Sequence, residues 1–138
     1  AVGYSTSAPT AGSYDDWAVR LHRTSVLSKP YSDVRYGGTS SDVFYNVEAY
    51  GSNLIVVGRK YDGKANRAWF MYLSSSGSKY YEYLFGATSG TSYLYDIKYV
   101  GNSVLMGVGE TPGAAGDAFV LGTNFAGQTS CKTGIPTG

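Results

Sequence analysis

Few residues of this chain have the types and spacing that catalysis needs. His22 is the only histidine. It sits near Arg20 and Arg23, and a surface position suits it better than the role of a base. A Ser-His-Asp arrangement would also require a sharply turned, exposed serine, and no G-x-S-x-G segment supplies one. Asp15-Asp16, read as a loop before Trp17, and Asp62 in the Asp62-Gly63 turn offer hard oxygens of the kind calcium takes. Such residues more often satisfy turn backbone, so no metal is expected. The 10 acidic residues are scattered, with no pair placed for glycoside hydrolysis. The expectation is a chain without catalytic residues and without a cofactor.

Binding chemistry is better represented. There are 14 tyrosines, and Tyr and Trp present a flat apolar face with a polar tip, suited to sugar stacking and to protein interfaces alike. Tyr61, Asp62, Asn66 and Trp69 form one candidate ligand set, and Glu110, Gly116, Asp117 and Phe119 are their counterparts further on. Packing is the competing use of these rings and is favoured for Trp17, Tyr45, Tyr95, Trp69 and Phe119. Trp17, Tyr45 and Tyr95 are therefore assigned to interfaces. Tyr80 and Tyr81 are adjacent and point to opposite faces of their strand. Cys131 is the single cysteine and can form no disulfide within the chain; a disulfide to a second chain would place it at an interface. The pattern Asn-x-Ser/Thr is absent, so no N-linked glycan is expected.

The elements that must position these residues repeat along the chain. Tyr45-Asn46-Val47-Glu48-Ala49-Tyr50-Gly51 aligns with Tyr95-Asp96-Ile97-Lys98-Tyr99-Val100-Gly101, Val2-Gly3 is echoed by Val57-Gly58, and Trp17 by Trp69 and Phe119. A period of about 50 residues means stacked supersecondary units. Each unit reads as four short strands. Residues 45–50 alternate and end at the Gly51-Ser52-Asn53 turn, which leads into the β-branched run 54–57. A loop over 61–66 precedes the aromatic strand 68–73, and Ser74-Ser75-Ser76-Gly77 turns the chain into 80–85. The next unit runs through 95–100, 104–108 and 118–121. No segment holds a 3.6-residue period, so no helix longer than a turn is expected.

Composition agrees with a single all-β body. Of the 138 residues, 15% are charged, 15% are aromatic and 19 are glycine, a mix that suits short strands and tight turns. A net charge of +1 without any Lys/Arg run leaves no electrostatic footprint for nucleic acid or anionic lipid. No apolar stretch approaches the ~18 residues of a membrane-spanning helix, so no membrane insertion is expected. The absence of an initiator Met and of a signal peptide reads as a processed or excised piece of a precursor. The Ser/Thr/Gly/Tyr-rich, weakly charged surface points to an extracellular or cell-envelope setting.

Asp117-Ala118-Phe119-Val120, the Leu73-Ser74-Ser75-Ser76-Gly77 turn, and Tyr83-Leu84-Phe85-Gly86-Ala87 followed by Tyr95-Asp96-Ile97 resemble the bacterial and archaeal β-propeller repeats of D-A-F-V, L-N-S-x-G and Y-x-G-G type. That resemblance implies antiparallel four-stranded blades and no common catalytic residue. It departs from the pattern at the turn over 27–30, which lacks the glycine found at Gly77 and Gly127.

On this reading residues 1–127 are propeller repeats, a partial one at 1–30 and full ones at 31–76 and 80–127, with a tail at 128–138. The chain opens with a third and a fourth strand, giving about two and a half blades. The tail is assigned the register of an inner first strand, offered to the incomplete first repeat of a partner. So short an arc exposes blade faces that need a cover, either a homo-oligomer or flanking repeats of a longer parent chain. The function expected is a non-catalytic structural and interaction module. The alternative is a carbohydrate-binding, lectin-like propeller with a glycan held between blades.

Overall fold

The computed structural model describes residues 2–5, 15–20, 32–37, 40–112 and 116–134, with side chains described between Tyr36 and Thr129. Eleven strands run through the described residues, none of which is helical. They form three antiparallel sheets in chain order. The first holds β1 (Val2–Ser5), β2 (Asp15–Arg20) and β3 (Ser32–Tyr36). The second holds β4 (Val43–Tyr50), β5 (Asn53–Tyr61), β6 (Asn66–Leu73) and β7 (Lys79–Phe85). The third holds β8 (Tyr93–Gly101), β9 (Val104–Thr111), β10 (Asp117–Asn124) and β11 (Thr129–Gly134).

Pairing registers put the repeat on a structural footing. Gly3 faces Trp17 across β1 and β2, Gly58 faces Trp69 across β5 and β6, and Gly109 faces Phe119 across β9 and β10. Strands β1, β5 and β9 are thus one kind, and β2, β6 and β10 the next. The opening sheet consequently carries three strands of the four, where the sequence suggested two, because Val2–Ser5 pairs with Asp15–Ala18.

The tail is corrected in the same way. Gly122 faces Cys131 as Tyr72 faces Tyr81, so β11 is the last strand of its own sheet, like β7. It is not a first strand held out to a partner. Asp15 and Asp16 also move, from a loop into β2, opposite Ser5 and Tyr4.

Local chemistry explains the turns. At the β6–β7 turn the Ser74 Oγ accepts the N–H groups of Ser76 and Ser78 at 3.3 and 3.0 Å. At the β10–β11 turn the Asn124 Oδ1 accepts those of Ala126 and Gln128, both at 3.0 Å. In each, the glycine N–H closes on the carbonyl three residues back, Gly77 to Ser74 and Gly127 to Asn124. Side chains that mimic backbone acceptors stabilise turns in this way.

Two apolar layers separate the sheets. Phe44, Val56, Trp69, Met71 and Leu73 lie on the leading face of the second sheet, with Tyr36 of β3 packed against them. Its trailing face supplies Ile55, Val57, Ala68 and Phe70, which pack with Leu94, Ile97, Leu105 and Leu121 of the third sheet. Strand β8 packs across β4, β5 and β6, just as β4 packs on β1 and β2.

Candidate functional site

The first strands of the two four-stranded sheets each break register near their start. The shift falls between Phe44 and Asn46 in β4, and between Leu94 and Asp96 in β8. A bulge of this kind inserts one residue that the cross-strand register skips and re-aims its side chain. The residues so placed are Tyr45 and Tyr95, and both are more than a third exposed. Their ring centroids lie 5.4 Å apart. Tyr93 joins them, stacked on Tyr95 at 5.4 Å with 9° between planes and 6.2 Å from Tyr45.

Charged groups border this tyrosine surface. The Arg59 guanidinium stands 5.7 Å from the Tyr93 ring centre, in cation–π range. The Tyr95 hydroxyl donates to Glu110 Oε2 at 2.9 Å. Loss of hydration, and then the Glu110 carboxylate, push the Tyr95 hydroxyl up to about 12. Because the folded value is raised, this contact's stabilisation is complete below the ordinary tyrosine value of about 10 and fades as pH climbs toward the folded value. A difference titration of the chain against Tyr95→Phe, followed at the tyrosinate absorbance band, is expected to match up to pH of about 10. The two curves should part only well above that, as Tyr95 ionises toward pH of about 12. Parting at the same pH as the freely titrating tyrosines would contradict the contact.

The remaining ligand candidates have structural partners. Asp62 Oδ1 accepts the N–H groups of Lys64 and Ala65, each at 2.9 Å. Those two bonds, together with Arg67 at 3.1 Å, hold its carboxyl below the usual carboxylate range. Tyr61 ends β5, its N–H bonded to Asp42 Oδ1 at 2.9 Å. The Asn66 carbonyl accepts the Ser92 N–H at 2.8 Å, tying the β5–β6 turn to the entry of β8. Trp69 is 1% exposed and its Nε1–H goes to Glu82, so it presents no face to a ligand. Phe119 packs against the layer between the second and third sheets, and Asp117 opens β10 opposite Thr111.

Three of the residues singled out by sequence are therefore brought together, Tyr45, Tyr95 and Glu110, while Tyr61, Asp62 and Asn66 serve the β5–β6 turn. Tyr93 and Arg59 were missed. Alternation from Tyr95 through Leu94 was the signal for Tyr93, but nothing in the sequence marks Arg59. Trp17 lies in β2 opposite Gly3, and Cys131 in β11 opposite Gly122. His22 lies outside the described residues. Among the described residues no group of three or more His, Cys, Asp or Glu is placed to hold a metal.

One orphan has a local cause. The Ser92 Oγ is buried without a partner. Its counterpart Asp42 takes the N–H of Tyr61, but the residue equivalent to Tyr61 in the third sheet is Pro112, which has no N–H. What the tyrosine surface offers chemically is flat stacking faces beside one carboxylate. No family model matches the chain, and no curated protein is similar to it.

Proposed function

We propose that this chain is a non-catalytic structural and interaction module, an arc of β-propeller blades in an extracellular or cell-envelope setting, completed by self-association or by flanking repeats. The observation that carries the reading is the ladder between β4 and β8. Asn46 Nδ2 donates to Asp96 Oδ1, Lys98 pairs with Glu48 at 2.6 Å, and Tyr45 meets Tyr95. In the first two pairs the partners are 50 residues apart. Each rung joins a residue to its own equivalent one repeat later, which is what neighbouring blades around an axis produce. The rungs also repeat internally, since Asn46 Oδ1 accepts the Val47 N–H and Asp96 Oδ1 the Ile97 N–H.

Light scattering after size exclusion, over a dilution series of the full chain, tests the assembly part of this reading. The expected result is a species heavier than one chain that dissociates on dilution. A carbohydrate-binding role is favoured by the tyrosine surface alone. Repeat-linked signals on a glycan array that vanish in Tyr95→Ala would establish it, and a blank array would remove it.

A further inference from the structure

The second sheet shows what each face of a repeat requires. Its trailing face, Ile55, Val57, Ala68 and Phe70, is fully buried under the third sheet. The strand registers place Met106, Val108, Ala118 and Val120 at the equivalent positions of the third sheet: Val57 pairs with Phe70 as Val108 does with Val120. These four residues remain apolar, yet among the described residues no sheet lies over them. Val108 is 51% exposed and Met106 43%, with Val104 of the same strand at 37%. Leu105, next to Met106 and facing the other way, is 0% exposed. An alternating strand with apolar residues on both faces is the pattern of a strand buried on both sides, and uncovered patches of this sort mark interaction sites.

What covers an equivalent face is also on view. In the second sheet it is the leading face of the following sheet, built from Leu94, Ile97, Leu105, Leu121 and Phe119. The leading face of the second sheet is itself covered, by Tyr36 of the first. The first sheet is the one sheet with no predecessor among the described residues. Pairing of Val2 with Ala18 gives Trp17 the register of Trp69 and Phe119, and gives Val19 the register of Met71 and Leu121.

We infer that the trailing face of the third sheet, centred on Met106, Val108 and Val120, docks a second copy of this chain through that copy's first sheet. The contact is head-to-tail, so it yields a ring if the rotation closes and a growing chain if it does not. It rests on the blade reading above and names the surface and the partner.

Two complementary variants of the full chain test it by light scattering, with folding checked by circular dichroism. Val108→Asp spoils the trailing face and Val19→Asp the leading position of the first sheet. Each alone is expected to run as one chain, and an equimolar mixture to form a 1:1 dimer that grows no further, because each variant keeps the face the other lacks. Met106→Lys and Val19→Lys repeat the experiment with a different side chain should either aspartate prevent folding. A wild-type chain that stays single across the dilution series would overturn the second copy as partner and leave the cover to a repeat in the same chain. Association of Val108→Asp like wild type, or no dimer in the mixture, would overturn the head-to-tail contact. A short thiol cross-linker between Glu48→Cys and Lys98→Cys, in a Cys131→Ser background, separates the two readings. If it closes within one chain while docking fails, only this inference falls. If it does not close, the blade arrangement falls with it.

Discussion

Alanine at Gly58 is expected to cost about 3 kcal/mol, the upper end of what overfilling a packed interior costs, and so to remove a large part of a net stability of ~5–15 kcal/mol. A Cβ built on Gly58 lies 2.0 Å from the Val43 carbonyl oxygen and 2.9 Å from the Phe44 Cα. Both are backbone, so no rotamer change relieves the collision. The cause is the bulge at Tyr45, which carries Val43 and Phe44 close over β5. Gly109 repeats the situation, its Cβ 2.1 Å from the Tyr93 oxygen and 2.5 Å from Phe119 Cε1. Gly109→Ala is therefore expected to be comparably damaging. Gly122 provides the control, since nothing lies within 4 Å of its Cβ, and alanine there should shift stability by no more than ~1 kcal/mol in either direction. Urea midpoints of the three variants check this. A Gly58→Ala midpoint matching that of Gly122→Ala would mean that β4 does not approach β5 as described.

That same pair of glycines shows how much the sequence discloses. The echo of Gly3 by Gly58, and of Trp17 by Trp69 and Phe119, was legible because both members of a cross-strand pair recur with the repeat; the pairing adds Gly109 and converts the echo into strand order. The turns that end at Gly77 and Gly127 were legible for the same reason. Bulges were not. Tyr45 follows Phe44, and Tyr95 follows Leu94, with nothing to distinguish an inserted residue from an alternating one, so the tyrosine surface and its link to Glu110 emerge only in three dimensions.

Strand β11 was misjudged for a different reason. Thr-Ser-Cys-Lys-Thr-Gly carries no apolar alternation, and its place is set by backbone pairing with β10. The polar members of the candidate site are also satisfied locally. Asp62 has the type and exposure of a ligand residue, but the turn it closes already uses both of its oxygens.

Trp69→Ala is expected to cost ~3–5 kcal/mol, for emptying a buried aromatic site. Trp69 stacks on Phe44 with centroids 4.6 Å apart. The Lys60 ammonium lies 5.0 Å from its ring centre, and its Nε1–H reaches Glu82 Oε1 at 2.9 Å. Lys60, at 2.6 Å, and Lys79 share the same carboxylate. Burial pushes the Glu82 carboxyl up, but the two lysines outweigh it and the net shift is downward. Trp69→Phe retains most of the ring and loses the N–H bond to a charged acceptor, a cost of ~1.5–3 kcal/mol. The sign of its pH dependence follows from the charge on the acceptor of that bond. The carboxylate's contribution is complete above the usual carboxyl value of 4.5 and is lost as pH falls through the folded one. The stability gap between the native chain and Trp69→Phe should therefore be widest near neutrality and narrow in acid, as Glu82 takes up its proton and the tryptophan N–H no longer meets a charge. Urea melts of both proteins at neutral and acidic pH measure the gap. A gap that stays constant into acid would show that the indole ring, and not its bond to Glu82, accounts for the whole difference.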